Sequence, residues 1–277
     1  MKNALSLGTF DGIHKGHRAV LNLPADCRKI AVTFEIPPKL AMSGDLQLIM
    51  TNEDKCRVLK SIGIDEILTL DFEKVRDIGA LEFLELLYNK YKPSVISCGF
   101  NYRFGKGGEG NTETLKSFCT ERGIDLLCSL PVEFEGETVS STLLRNMLKN
   151  GEIEKANALL QEPFSFKAEV IDGEKRGRSI GFPTVNQKYP KELVTVKFGV
   201  YKTLVDFEGR KYQGITNIGL RPTFKSDYII SETYIKNFSD NLYGKVLRIT
   251  PLSFLREEKK FSSIEELKKQ IKADIEA

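Results

Sequence analysis

The sequence predicts two dissimilar domains in one chain: an α/β domain built on a doubly wound parallel sheet, then a small β-barrel closed by a terminal helix. Three observations carry this. The chain has 277 residues, more than one ordinary domain and about right for two. Up to about residue 160, short apolar runs alternate with helical stretches, the form a parallel sheet flanked by helices takes in sequence. After Pro163 the period changes to strands separated by turns. The boundary is accordingly expected between residues 162 and 163, giving domains 1–162 and 163–277.

In the first part, Ala4 to Leu7, Lys29 to Phe34, Glu66 to Leu70, Ser94 to Cys98 and Asp125 to Leu130 read as strands. Helices are expected over Asn52 to Ile62, Ala80 to Tyr91 and Thr112 to Arg122, which stop at Gly63, before Pro93 and at Gly123. A short helical segment, Glu152 to Leu160, precedes the break. In the second part, Phe164 to Ile171, Gly199 to Asp206, Lys211 to Thr216, Ile229 to Asn237 and Val246 to Phe254 have strand density of β-branched and aromatic residues. The terminal helix starts at Ser263, with Ser263 and Glu266 at capping-box spacing and Leu267 and Ile271 on its apolar face.

Composition narrows the function classes. Apolar residues make up 41% and charged residues 29%, with 17 Phe and 9 Tyr, enough to bury a core in each domain and too apolar for disorder. No stretch approaches the ~18 apolar residues of a spanning helix, and the N-terminus breaks at Gly8 too early for a signal peptide, so a soluble cytoplasmic protein without a membrane partner is expected. The five cysteines are odd in number and widely spaced, suggesting neither a disulfide framework nor a zinc knuckle. Residues 1–160 carry 20 basic and 22 acidic side chains, and residues 161–277 carry 21 and 16, or about −2 and +5. With no basic run, that mild excess suits small anionic ligands better than nucleic acid. No obligate protein partner is evident.

The sharpest feature follows the first strand: Gly8-Thr9-Phe10-Asp11-Gly12-Ile13-His14-Lys15-Gly16-His17, holding the only two histidines of the chain. Glycines let backbone turn tightly and approach a ligand, and a helix beginning near Gly16 offers unpaired N–H groups to phosphate. A glycine-rich turn with incidental histidines, or a metal pair awaiting a third ligand, are the competing readings. The full string resembles the HIGH-type nucleotidyltransferases, whose two histidines bind nucleoside triphosphate phosphates. Two further segments stand where ligands bind in open α/β sheets, at carboxyl ends of strands: Cys98-Gly99-Phe100-Asn101-Tyr102-Arg103-Phe104-Gly105 with the glycines after it, and Ser140-Ser141-Thr142-Leu143-Leu144-Arg145. A flexible loop and a plain N-cap are the bland alternatives.

In the second part, Arg176-Gly177-Arg178-Ser179-Ile180-Gly181-Phe182-Pro183-Thr184-Val185-Asn186 joins glycines, basic residues and small oxygen-bearing side chains able to wrap phosphates and hold Mg²⁺. Turn chemistry alone would also explain Gly-Phe-Pro. Then come Gly214-Ile215-Thr216-Asn217-Ile218-Gly219-Leu220-Arg221-Pro222-Thr223-Phe224, the run Ser231-Glu232-Thr233-Tyr234-Ile235, and Leu242-Tyr243-Gly244-Lys245. Glu232 is the one acidic residue in an apolar and hydroxylic strand, either an exposed strand glutamate or a general base.

Taken in order, these motifs resemble the bifunctional prokaryotic riboflavin kinase/FMN adenylyltransferases, often called FAD synthetases, over essentially the whole chain. The resemblance implies an N-terminal adenylyltransferase and a C-terminal riboflavin kinase barrel: one converts riboflavin and ATP to FMN, the other joins FMN to AMP from a second ATP with release of pyrophosphate. It implies ATP contacts for His14 and His17 within the Gly8, Phe10, Asp11 and Gly16 loop, a place in the adenylyl-transfer pocket for Asn101, and closure around the triphosphate by Ser141, Thr142 and Arg145. For the kinase it implies nucleotide contacts at Gly177 and Gly181, Mg²⁺ and phosphate contacts at Thr184 and Asn186, and Glu232 as base. The chain departs from the family pattern at Phe34-Glu35-Ile36-Pro37-Pro38, which lacks a histidine usual near the flavin, at Tyr234 and at Asn241.

Overall fold

A computed structural model of the chain describes residues 2–44, 47–173, 177, 180–221 and 228–276. The chain divides into two compact bodies, Met1–Leu143 with Leu159–Glu162, and Leu144–Ala158 with Pro163–Ala277.

The first body is built on five parallel strands, β1 (Lys2–Leu7), β2 (Cys27–Phe34), β3 (Glu66–Leu70), β4 (Val95–Gly99) and β5 (Asp125–Ser129), in the order β3-β2-β1-β4-β5. The chain runs outward from β1 in one direction and then returns to its other side, so the sheet is doubly wound, with its switch point between β1 and β4. Strand alternation sorts the side chains onto two faces. Leu5, Leu7, Ile30, Val32, Ile96 and Cys98 form one core with α5 (Ala80–Tyr91) and α6 (Thr112–Arg122). Ala31 joins Val20 and Leu21 of α1 (Lys15–Leu21) and Val58 and Leu59 of α3 (Asn52–Ser61) in another. The body also holds α2 (Pro38–Ser43), α4 (Phe72–Val75) and a two-stranded hairpin, β6 (Glu133–Phe134) and β7 (Glu137–Thr138).

Helix ends follow local chemistry. Thr51 caps α3 by accepting from Asp54 N at 3.2 Å, Asn111 caps α6, and Gly123 ends α6 in the left-handed conformation. The helix α7 (Ser141–Asn150) begins with Leu143 N donating to Ser140 Oγ at 3.2 Å.

The second body is a closed barrel. Strands β8 (Phe166–Ile171), β9 (Thr184–Lys188), β10 (Gly199–Phe207), β11 (Arg210–Arg221), β12 (Tyr228–Ile235) and β13 (Val246–Arg256) pair antiparallel in the circular order β10-β11-β12-β9-β8-β13. Closure leaves no sheet edge unpaired. Two features tie segments outside the strands to it. Asn157, in α8 (Ile153–Leu159), donates to the Pro251 carbonyl and accepts from Phe164 N, each at 2.9 Å. The terminal helix α9 (Ile264–Glu276) is fixed by Asp274, buried and paired with Arg256 of β13 at 2.7 Å.

The barrel interior is partly polar. Thr203, Thr216 and Thr233 form a chain of buried hydroxyls, each contact 2.9 Å, and Gln187 Nε2 donates to the carbonyls of Ala168 at 2.5 Å and Leu247 at 3.1 Å. Among the described residues no helix is long and apolar enough to cross a membrane.

Candidate active sites

The first constellation stands at the carboxyl end of β1, beside the switch point. Gly8 N continues the sheet by donating to the Val32 carbonyl at 3.1 Å. The chain then turns through three left-handed residues, Phe10 (φ 51°), Gly12 (φ 88°) and Ile13 (φ 38°). Two of these carry side chains, a conformation that costs on the order of 1–3 kcal/mol each, so the surroundings must hold them. They do: Phe10 and Ile13 are wholly buried, and a Cβ at Gly8 would lie 2.8 Å from the Phe10 ring, which folds back over it. Asp11 fastens the loop, its Oδ1 accepting from the amides of Ile49 at 3.0 Å and Met50 at 3.3 Å.

This loop presents the histidines. His14 is buried and caps α1, its Nδ1 accepting from His17 N at 3.3 Å. The two rings stack with centroids 3.7 Å apart, and Phe10 meets His17 edge-on. At Gly16 a Cβ would press on the His14 ring at 3.2 Å and the Val139 carbonyl at 3.3 Å, so glycine keeps the rings close. Burial first, then the charges of His14 and Lys55, hold the His17 pKa well below the ordinary histidine value, and its Nδ1 finds no partner among the described residues. His17 is therefore a neutral ring with an open nitrogen. No three His, Cys, Asp or Glu side chains converge as a metal site among the described residues, so the pair gains no third ligand among them.

Two other predicted segments reach the same edge. Asn101 is exposed just beyond β4, the strand beside β1, in a loop pinned by the mutual hydrogen bonds of Phe104 and Gly110. Ser141 Oγ donates to the Asp11 carbonyl at 2.9 Å, joining the start of α7 to the histidine loop, and Thr142 beside it is exposed. Arg145, one turn on, is buried and falls in the second body.

One residue here carries no sequence motif. Lys55 of α3 is 3% exposed, donates to the carbonyl of Phe34 at the carboxyl end of β2, and forms no ion pair with a described residue. Burial depresses its pKa, opposed in part by the charge of Asp11 and, less, by Cys56 and Glu35. A signal existed: Lys55, Val58, Leu59 and Ile62 stand at i, i+3, i+4 and i+7, which puts a lysine on the apolar stripe.

The second constellation is a cross-strand row on the outer face of the barrel. Glu232 of β12 is paired directly with Asn186 of β9 on one side and Asn217 of β11 on the other. Directly opposed residues project to the same face, so the three polar side chains stand in line. Their neighbours Ser231, Thr233 and Gln187 are buried on the inner face. Thr184, two residues before Asn186, lies in the next row opposite Tyr234, whose ring meets Phe182 edge-on. Asn186 is 6% exposed, and its Oδ1 has no partner among the described residues; the same holds for Asn217 Oδ1. Gly181 takes φ 87°, and the Gly177 carbonyl accepts from Phe182 N at 2.9 Å. Arg176, Arg178, Ser179, Pro222, Thr223 and Phe224 lie outside the described residues.

Residues 1–143 match the FAD synthetase family and residues 160–277 match the riboflavin kinase family. The chain belongs to the bifunctional riboflavin kinase/FMN adenylyltransferases. Relatives in this family include proteins of that name from Listeria monocytogenes (31% identical, over 99% of this chain and 90% of the relative), Bacillus subtilis (29%, 99% and 90%) and Escherichia coli K12 (32%, 98% and 90%). A crystal structure of a Streptococcus pneumoniae protein described as a macrolide-efflux protein superposes with a TM-score of 0.91 at 29% identity, over 99% of this chain and 93% of that one. A riboflavin kinase/FMN adenylyltransferase handles riboflavin, FMN, FAD and ATP; the histidine loop, Asn101, Ser141 and Thr142 fall in the first matched region, the Glu232 row in the second, and Arg145 in neither.

Proposed function

We propose that the histidine loop adenylylates FMN, that the barrel phosphorylates riboflavin, and that each site uses one ATP. The observation that carries this reading is that the histidine loop, Asn101, Ser141 and Thr142 lie in one body and one family match, and the Glu232 row in the other body and the other match.

At the first site, neutral His17, His14, the Gly8 to Gly16 backbone, Asn101, Ser141 and Thr142 are the groups assigned to the nucleotide. Fixed donors aimed at phosphoryl oxygens stabilise the charge gathering there as the FMN phosphate attacks the ATP α-phosphorus and pyrophosphate leaves. Lys55 adds a buried positive charge beside the loop, and we assign it as a positioning residue for the Phe34 end of β2 and a long-range stabiliser of the triphosphate.

At the second site, Glu232 takes the proton of the riboflavin 5′-hydroxyl as that oxygen attacks the ATP γ-phosphorus. Thr184 and Asn186 are the assigned ligands for Mg²⁺. The orphaned buried oxygen of Asn186 fits a hard cation, which takes oxygen donors. When bound, the ion neutralises charge on the phosphate oxygens. Gly177 and Gly181 shape the backbone that approaches the nucleotide. We place the domain boundary at 162/163 and the enzyme in the cytoplasm; neither reaction requires nucleic acid, a membrane or a protein partner.

Chromatography of riboflavin, FMN and FAD after incubation with Mg-ATP tests the reading. Riboflavin should pass through FMN to FAD, and FMN supplied alone should give FAD. Failure of either conversion by the folded chain removes the corresponding site assignment.

A further inference from the structure

The row containing Glu232 has a fourth member that the proposed kinase chemistry does not use. Asn217 Nδ2 donates to Glu258 Oε1 at 3.0 Å, from the segment after β13. A carboxylate only accepts, so this bond fixes which end of the amide points where. It leaves Oδ1 turned away from Glu258, buried and without a partner among the described residues, beside the cross-strand neighbour Glu232. Room for the carboxylate comes from Gly219, two residues along the same face: a Cβ there would lie 2.8 Å from Glu258 Cδ and 3.0 Å from Oε2. A buried carbonyl oxygen left open is costly, on the order of 1–3 kcal/mol relative to a bonded one. The open Asn217 oxygen is best explained as an acceptor awaiting a donor from outside the chain.

The chemistry of the substrate identifies that donor. A hydroxyl has one proton to give, and the attacking 5′-hydroxyl gives its proton to Glu232. Asn217 Oδ1 must therefore take a different hydroxyl. Directly opposed strand residues hold their Cβ atoms about 4.5–5.5 Å apart, a spacing suited to two acceptors gripping adjacent hydroxyls of one polyol chain. We propose that Asn217, locked by Glu258, binds the ribityl hydroxyl next to the one being phosphorylated, the 4′-hydroxyl, and so selects and aligns the polyol end of riboflavin. This rests on the assignment of Glu232 as the kinase base. It gives the row a direction: Glu258 holds, Asn217 grips the substrate, Glu232 takes the proton, and Asn186 faces the phosphate side.

The test compares riboflavin with 4′-deoxyriboflavin as kinase substrates of the full chain with Mg-ATP. Wild type should prefer riboflavin in kcat/KM. In Asn217→Ala that preference should shrink by about 10-fold, the scale of one neutral hydrogen bond, through KM for riboflavin and not KM for ATP. Glu258→Gln keeps an acceptor for Asn217 Nδ2 and should retain the preference. Glu258→Leu, and Gly219→Ala, which displaces the carboxylate, should lose much of it. Far-UV circular dichroism and urea unfolding of the same preparations confirm a folded barrel, and the Glu258 and Gly219 variants carry the test if Asn217→Ala fails to fold. An unchanged preference in Asn217→Ala, or in both Glu258→Leu and Gly219→Ala, overturns the proposal. Failure of the underlying reading would look different: Glu232→Gln would phosphorylate riboflavin at the normal rate.

Discussion

Lys55→Met should separate function from stability, because its ammonium is buried at 3% exposure with one hydrogen bond and no ion pair with a described residue. Removing the charge leaves the Phe34 carbonyl without that donor, a loss of about 1–3 kcal/mol. Against this, burying an ammonium costs several kcal/mol even after relaxation, and methionine fills similar volume with apolar atoms. The two nearly offset, so the variant should be within about 1–2 kcal/mol of wild type, on the stable side. Adenylylation of FMN should nevertheless fall by about 10-fold or more, as for loss of a charge favouring phosphate oxygens, while riboflavin phosphorylation is unchanged. Urea unfolding of both proteins, with FAD formation from FMN, provides the assay. Its pH dependence adds an independent check. A lysine whose pKa is lowered on folding releases its proton earlier in the folded chain, so the unfolded chain holds more protons between that depressed value and 10.5. Its cost to stability is fully present below the depressed value and is relieved as pH rises through that window, whereas Lys55→Met lacks this slope. A variant destabilised by more than about 3 kcal/mol that adenylylates normally per folded molecule would show that Lys55 serves only packing.

His14→Ala and His17→Ala should each reduce FAD formation from FMN by about 10²- to 10³-fold and leave riboflavin phosphorylation nearly intact, since the barrel contains no histidine; equal loss of both activities in folded protein would sink the division into two sites. Glu232→Gln should lose about 10²- to 10⁴-fold in kinase turnover while still binding ATP and riboflavin, with partial recovery in Glu232→Asp and normal adenylylation of FMN. Residues 163–277 expressed alone should phosphorylate riboflavin, and a fragment starting at Leu144 should unfold at higher urea, because it restores the Asn157 bonds to Pro251 and Phe164; an inactive fragment beginning at either point would show that the barrel depends on the rest of the chain.

The parallel sheet was legible because its strands are apolar on both faces and its helices end at glycines and a proline. The barrel was harder. Strand β9, Thr184–Lys188, has almost no apolar alternation, since Val185 is the one apolar residue on its inward face, the other being Gln187, whose Nε2 donates to two backbone carbonyls, and its buried outward residue is Asn186. A polar residue in the core looks like a loop in sequence. Strand β11 runs to Arg221, past the expected end at Thr216, because Gly219 that lowers strand propensity is the residue that admits Glu258. The hairpin β6–β7 turns on Glu135 and Gly136, both at positive φ, a two-residue signal within a run of charges. As for the candidate sites, the histidine loop, Thr184, Asn186 and Glu232 were singled out from residue type and company. Lys55 and Glu258 were not singled out, because lysine in a helix and glutamate in a charged tail ordinarily mean solvent, and only burial or a partner from another element distinguishes them.

The polar interior of the barrel bears directly on its chemistry. Strand register decides which face each side chain occupies, and a slip of one residue would turn Asn186, Glu232 and Asn217 inward and break the row. Apolar side chains alone tolerate such slips better than directional bonds do. The hydroxyl chain Thr203–Thr216–Thr233 links β10, β11 and β12 at one level, and Gln187 links β9 to the backbone of β8 and β13. Together these contacts touch all six strands. Thr216 and Thr233 directly oppose each other, and each is the immediate chain neighbour of a member of the outer row, as Gln187 is of Asn186. The inner bonds therefore fix the register at the same level where the outer face needs Glu232 between two asparagines. A fully apolar core could make the barrel stable; this one also makes its register specific, and the line of acceptors on the outside depends on that specificity.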